Sequence, residues 1–140
     1  MRKPIKILLP VLLAGLVLSS GALATSGCSS SKPAYCGDRD QLEQSVKGLT
    51  DISPSAGSVS AYQSQLNEIQ DNAGKTLDSA RQDFPEETDA VESSIGRLAN
   101  TIENLPKSPS TSDILMIVGE GASLASAVQQ FTQATKSACN

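Results

Sequence analysis

"VSAYQSQLNEIQDNAGKTLDSARQDF", residues 59–84, carries an apolar side chain at every third or fourth position: Val59, Tyr62, Leu66, Ile69, Ala73, Leu77, Ala80 and Phe84. Those steps follow the 3.6-residue period of an α-helix, in which residues three and four apart share a face. The spacing predicts an amphipathic helix about seven turns long that buries one side.

The same pattern recurs on both sides of this stretch. After Phe84-Pro85, where a proline suits the first turn of a new helix, Val91, Ile95, Leu98, Ile102 and Leu105 form a second stripe. Lys107-Ser108-Pro109-Ser110 then breaks the chain, Ser110 and Asp113 form a capping pair, and Ile114, Val118, Gly121, Ala125, Val128, Thr132 and Thr135 lie along one face of a further helix. Before residue 59, Leu42, Val46 and Leu49 mark a shorter helix with Asp38 as its N-cap and Gln41 three residues on. Asp51–Gly57, rich in Ser, Pro and Gly, is the loop that ends it.

Ile114-Leu115-Met116-Ile117-Val118 followed by Gly119-Glu120-Gly121 also fits a buried strand entering a glycine-rich turn. A dinucleotide fingerprint needs a third glycine where this chain has Leu124, and no other segment offers a partner strand. The segment is therefore read as helix. Its small residues, Gly119, Gly121, Ala122, Ser123, Ala125, Ser126 and Ala127, are expected to let neighbouring helices approach closely. The fold class that follows is all-α, an up-down-up-down bundle of one short and three longer helices.

The N-terminus has a different character. Arg2, Lys3 and Lys6 precede an uncharged apolar run from Ile7 to Leu18. Twelve residues are too few to cross a bilayer, which takes about 20, and they match the core of a signal peptide. Two cleavage sites compete. Ala22-Leu23-Ala24 suits ordinary signal peptidase, whereas Thr25-Ser26-Gly27-Cys28 resembles the lipobox of bacterial lipoproteins, with Ser26 and Gly27 matching and Thr25 standing where that family has a leucine-like residue. The resemblance implies removal of residues 1–27, a diacylglycerol thioether on Cys28, and anchoring at the extracytoplasmic face of the cell membrane. The alternative is a soluble secreted protein.

Cysteine parity favours the lipobox. The chain has three cysteines, and cleavage after Ala24 would leave an odd number outside the cytoplasm. With Cys28 lipidated, Cys36 and Cys139 form an even pair in an oxidising compartment, where a disulfide is expected. That bond suits the bundle, because an even number of antiparallel helices brings the start of the first beside the end of the last. Residues 28–35 then form a Ser-rich tether and residues 36–140 the folded domain. Leu, Ile, Val and Phe make up only about a fifth of that domain, so a covalent closure is a large part of its stability.

Loss of Arg2, Lys3 and Lys6 with the leader leaves eight of the 11 basic residues against 15 acidic ones. An acidic surface of this kind repels phosphate backbones and disfavours nucleic acid as a partner. Catalytic means are few: the chain has no histidine and no tryptophan. The usual general base and the commonest transition-metal ligand are thus missing. Asn72-Ala73-Gly74-Lys75-Thr76 includes the Gly-Lys-Thr of a phosphate loop, but Ile69 stands where the earlier glycine is required and the segment lies inside the long stripe. Ser29 to Lys32 is a Ser-x-x-Lys within the tether, where nothing orients a nucleophile. Asp83, Glu86, Glu87 and Asp89 gather around Pro85 and suit the positive end of a helix better than a calcium loop. Glu43 with Lys47 and Asp71 with Lys75 are spaced as helical ion pairs, and Tyr62, Phe84 and Phe131 are expected in the core.

No catalytic, cofactor or metal residue is assigned. The expected function is that of a non-enzymatic, lipid-anchored helical module which binds or spaces a membrane-proximal partner. The alternative is a carrier of a small apolar ligand held between the helices. The mature part also resembles small helical lipoproteins of Gram-positive bacteria in its general pattern of helices closed by end-to-end cysteines, a likeness that carries no activity with it.

Overall fold

The structure, a computed structural model, describes residues 31–140. Helix α1 spans Tyr35–Thr50, α2 Val59–Ala80, α3 Pro85–Glu103 and α4 Thr111–Cys139, with a short 3-10 turn at Ala56–Ser58 before α2. Local chemistry sets most of these boundaries. Pro85 occupies the first turn of α3, where its missing N–H removes nothing from the helix. Ser110 caps α4 in a reciprocal box: the Asp113 amide donates to Ser110 Oγ at 3.2 Å, and the Ser110 amide donates to the Asp113 carboxylate at 2.7 Å. Between α1 and α2, the Ser58 hydroxyl donates to the Ser53 carbonyl at 2.7 Å and pins the 51–58 loop.

Helix α1 starts four residues earlier than the Asp38 cap predicts. Ala34 is its N-cap, no side chain caps it, and Asp38 sits inside its first turn. The gain is burial: Tyr35, ahead of the expected start, is 2% exposed and packs edge-on to Phe84 with ring centroids 5.8 Å apart. Phe84 in turn meets Phe131 edge-on at 6.5 Å, so aromatic rings join the starts of α1 and α3 to α4.

Each helix packs against its neighbours in sequence, and α1 closes the ring against α4. Pairs across the interfaces fix the directions. Gln65 Nε2 of α2 donates to the Ser45 carbonyl of α1 at 3.0 Å, Tyr35 at the start of α1 meets Asp83 just beyond α2, and Arg97 of α3 meets Glu120 of α4 at 3.2 Å. All neighbours are antiparallel, and the fold is an up-down-up-down bundle. Its ends are joined as expected: Cys36 and Cys139 form a disulfide with Cα atoms 5.5 Å apart. In the chain-entropy account, closing a loop of about 100 residues stabilises by roughly 4.7 kcal/mol.

The stripes of α1, α2 and α3 turn inward as their spacing requires, with Leu42, Ile69 and Leu98 all fully buried. Helix α4 is rolled from its expected phase. Ile117, Leu124 and Phe131 are buried, whereas Val118 is 39% exposed and Ala125 and Thr132 are half-buried. Both phases fit a 3.6 period, and the bulkier side chains take the interior because they remove more apolar area from water. The close-approach expectation holds for Gly121, which abuts Leu49, and fails for Gly119, Ala122, Ser123 and Ser126, which are exposed. Segment 114–118 is helical, and Gly119-Glu120-Gly121 continues it.

Candidate functional site

The disulfide gives the bundle two unlike poles. At one, Cys36 and Cys139 join the first turn of α1 to the last turn of α4. Tyr35 Oη donates to the Asp83 carboxylate at 3.4 Å there, and burial, with the carboxylate beside it, pushes the phenol pKa up. The Arg39 guanidinium reaches Asp40 at 3.2 Å and the Thr135 hydroxyl at 3.5 Å, tying α1 to α4 one turn further in. The predicted lipidation site, Cys28, and the leader before it lie outside the described residues, as do Ser29 and Ser30 of the tether. Lys32 is exposed and in no regular element.

At the other pole, the start of α4 meets the end of α1 and the 51–58 loop. Leu115 is 59% exposed and Met116 54%, the most exposed of the large apolar side chains among the described residues, with Val118 beside them. Two apolar clefts flank the loop and share Pro54. One, of about 230 Å³, lies between α1 and α4 and is lined by Leu49, Ile52, Tyr62, Val118 and Ala122. The other, of about 270 Å³, is lined by Ala56, Pro109, Ile114 and Leu115. Gly121 also lines the first cleft, at the point where it abuts Leu49. Tyr62 Oη donates to the Ile52 carbonyl at 3.4 Å, and burial raises its pKa. The phenol is thus held neutral as part of the cleft wall. A helix rises 1.5 Å per residue, so Leu115 lies about 36 Å along α4 from Cys139.

The remaining sequence candidates are placed by ordinary contacts. Asp83 receives Tyr35, Asp89 receives Arg81 at 3.3 Å, and Glu86 and Glu87 occupy the first turn of α3. Arg81 also pairs with Glu92, and that hydrogen bond holds its guanidinium further above its ordinary pKa. No group of three or more metal-binding side chains is assembled among the described residues. Asn72–Thr76 is uninterrupted helix, with the Thr76 hydroxyl donating to the Asn72 carbonyl at 2.8 Å. Lys47 pairs with Asp51 at 2.7 Å and not with Glu43. Tyr62 and Phe131 are buried as expected, and Phe84 is half-buried against the core.

The apolar pole itself was not legible beforehand. Its signal was present in the unbroken apolar run Ile114–Val118, which goes right round a helical turn and so cannot all be buried on one face, but the assumed phase of α4 hid it. Compared with models of protein families, with curated proteins and with solved structures, this chain has no match.

Proposed function

We propose that the protein is a non-enzymatic, lipid-anchored helical module that presents its apolar pole to a partner near the outer face of the cytoplasmic membrane. One observation carries this reading: the pole where the tether enters and the pole with Leu115, Met116 and the two clefts lie at opposite ends of the bundle, about 36 Å apart along α4. The eight steps from Cys28 to Cys36 add at most about 25 Å. The apolar pole then works within roughly 60 Å of the bilayer, and the disulfide keeps the anchored end from fraying away from α4.

The carrier reading draws on the cleft beside Gly121. At about 230 Å³ it is smaller than the ~300–1,000 Å³ usual for ligand sites. The larger groove between α1 and α4, about 460 Å³, is walled mainly by polar side chains such as Asp40, Glu43 and Lys47, and the interior between the helices is filled by Tyr35, Tyr62, Phe131 and their aliphatic neighbours. Presentation of a surface is therefore favoured over enclosure of a ligand.

The test separates anchoring from recognition. Cys28→Ala should move the protein from the membrane fraction to the medium without changing its helical circular dichroism. Neighbours crosslinked at the cell surface by the wild type should be lost both from Leu115→Ser/Met116→Ser and from a protein with about 40 Ser/Gly residues inserted after Ser31, since the insert dilutes the pole at the membrane. A wild-type protein recovered from the medium beginning at Thr25 would overturn anchoring. Capture unaffected by the Leu115/Met116 substitutions would overturn the apolar pole as the binding end.

A further inference from the structure

The links that hold the four helices together are unevenly placed. Helices α1 and α2 form one hairpin through the 51–58 loop, and α3 and α4 form another through residues 104–110. Two covalent connections join the hairpins to each other, the turn at residues 81–84 and the Cys36–Cys139 bond, and both stand at the tethered pole. At the apolar pole each loop stays within its own hairpin.

Polar and aromatic contacts follow the same division. Between the hairpins, Arg39 of α1 reaches Thr135 of α4, Arg81 pairs with Asp89 and Glu92 of α3, and Phe84 packs edge-on to both Tyr35 and Phe131. All of these lie in the half nearer the disulfide. In the other half, the side-chain hydrogen bonds and ion pairs among the described residues stay within a hairpin: Tyr62 with Ile52, Gln65 with Ser45, and Arg97 with Glu120. There the hairpins meet through apolar contacts such as Leu49 with Gly121, and the clefts of about 230 and 270 Å³ interrupt that contact. Each cleft has one wall from the first hairpin and the other from the second, with Pro54 facing Val118 in one and Leu115 in the other. Parting α1 and α4 from α2 and α3 is the other way to divide the bundle, with its hinge at the apolar pole. Tyr35 with Asp83 ties that seam at its far end, and Gln65 with Ser45 and Arg97 with Glu120 tie it along its length.

We infer that the domain is a two-jawed clamp, in which the α1–α2 and α3–α4 hairpins part at the apolar pole as rigid bodies about a hinge formed by the Cys36–Cys139 bond and the 81–84 turn. Opening joins the two clefts into one mouth and adds Leu49, Tyr62 and Ile117 to the apolar surface of Leu115 and Met116. Closure is the resting state, because those three side chains are buried in it and would otherwise meet water. The hinge is a property of the fold and depends neither on a lipid at Cys28 nor on a partner at the pole.

Thiol labelling tests this in the full-length Cys28→Ala protein, whose native disulfide leaves an inserted cysteine as the one free thiol. Leu49→Cys and Ile117→Cys each place it, buried, on one of the facing jaws, and Val91→Cys places it in the buried interior near the hinge. N-ethylmaleimide should modify residues 49 and 117 at least about tenfold faster than the global unfolding of each variant allows, as measured in urea on that variant, and with little dependence on low urea. Residue 91 should be modified no faster than global unfolding allows. Because each rate is referred to its own variant's stability, the cost of the substitution cancels, and either jaw position suffices if the other does not fold. Backbone amides of residues 117–121 should stay protected while the thiols react, since jaws that move as rigid bodies keep their helical hydrogen bonds. Labelling at 49 and 117 only through global unfolding, or equally fast labelling at 91, would overturn the hinge. Amide exchange at 117–121 that keeps pace with labelling would overturn it too, in favour of a fraying helix end.

Discussion

Gly121 of α4 stands directly against Leu49 of α1: a Cβ at residue 121 would lie 3.1 Å from the leucine Cδ2. Two turns of helix thus touch with hydrogen where other residues carry carbon, at the interface that closes the ring of helices. Gly119, two positions away on the same helix, has open space in place of a neighbour.

The two glycines should therefore respond in opposite ways. Gly119→Ala gains helix propensity without a clash and should raise stability by about 0.5–1 kcal/mol. Gly121→Leu must displace Leu49 from a packed position and should lower stability by about 1–3 kcal/mol. Urea unfolding followed by circular dichroism distinguishes them. A Gly121→Leu protein as stable as the wild type would mean that the approach of α1 to α4 is looser than described.

Reduction of Cys36–Cys139, or replacement of both by serine, should cost about 2–5 kcal/mol, from release of the long loop in the unfolded chain. The urea midpoint should fall while the helical spectrum survives at low denaturant. An unshifted midpoint would show that packing alone holds the ends together.

Ser110→Ala removes the first-turn acceptor of α4 and should destabilise by about 1 kcal/mol. The same box holds the Asp113 carboxyl below its ordinary pKa, first through the Ser110 hydroxyl and then through its amide. A depressed folded-state value gives a contribution present above the ordinary carboxylate range and lost as pH falls through the depressed value, so it fades below about pH 4. The gap between wild type and Ser110→Ala should narrow over that acidic window, measured as the difference in melting temperature.

Tyr35 and Tyr62 carry the opposite sign. Burial raises both phenols, and Asp83 adds to the effect at Tyr35. A raised folded-state pKa gives stability present in full below the ordinary tyrosine value near 10 and lost as pH climbs through the raised one. Unfolding should therefore sharpen above about pH 10, with phenolate absorbance appearing together with loss of helix. Tyr35→Phe with Tyr62→Phe should push that alkaline limit upward. Phenolate formed while the helix persists would show that the two rings are reached by solvent in the folded state.

How far the fold was legible varied with local ambiguity. Helices α2 and α3 alternate apolar and polar positions cleanly, so Leu66, Ile69, Val91 and Leu98 could occupy only one face. Pro85 and the Ser110–Asp113 box mark helix starts by chemistry alone. Helix α4 is apolar or small almost all round, so two phases served equally well, and only contact with Leu49, Arg97 and the aromatic rings selects the one observed. Asp38 was a good cap in isolation, but Tyr35 gains more by burial than a cap provides. The disulfide pair followed from cysteine parity. The exposed Leu115-Met116 pole did not, because the phase assumed for α4 drew attention to Val118 and left the rest of the apolar run 114–118 unplaced.

The bond between the first turn of α1 and the last turn of α4 also decides how the domain would carry a load. A tension applied through residue 31 against a partner held at Leu115 would, without the bond, enter α1 alone and peel it from the bundle one contact at a time. With Cys36 fastened to Cys139, the pull crosses the bond into α4 and runs along that helix to Leu115, so no interface between helices stands in its path. The load is borne by one continuous helix, and α2 and α3 stay out of the line of force.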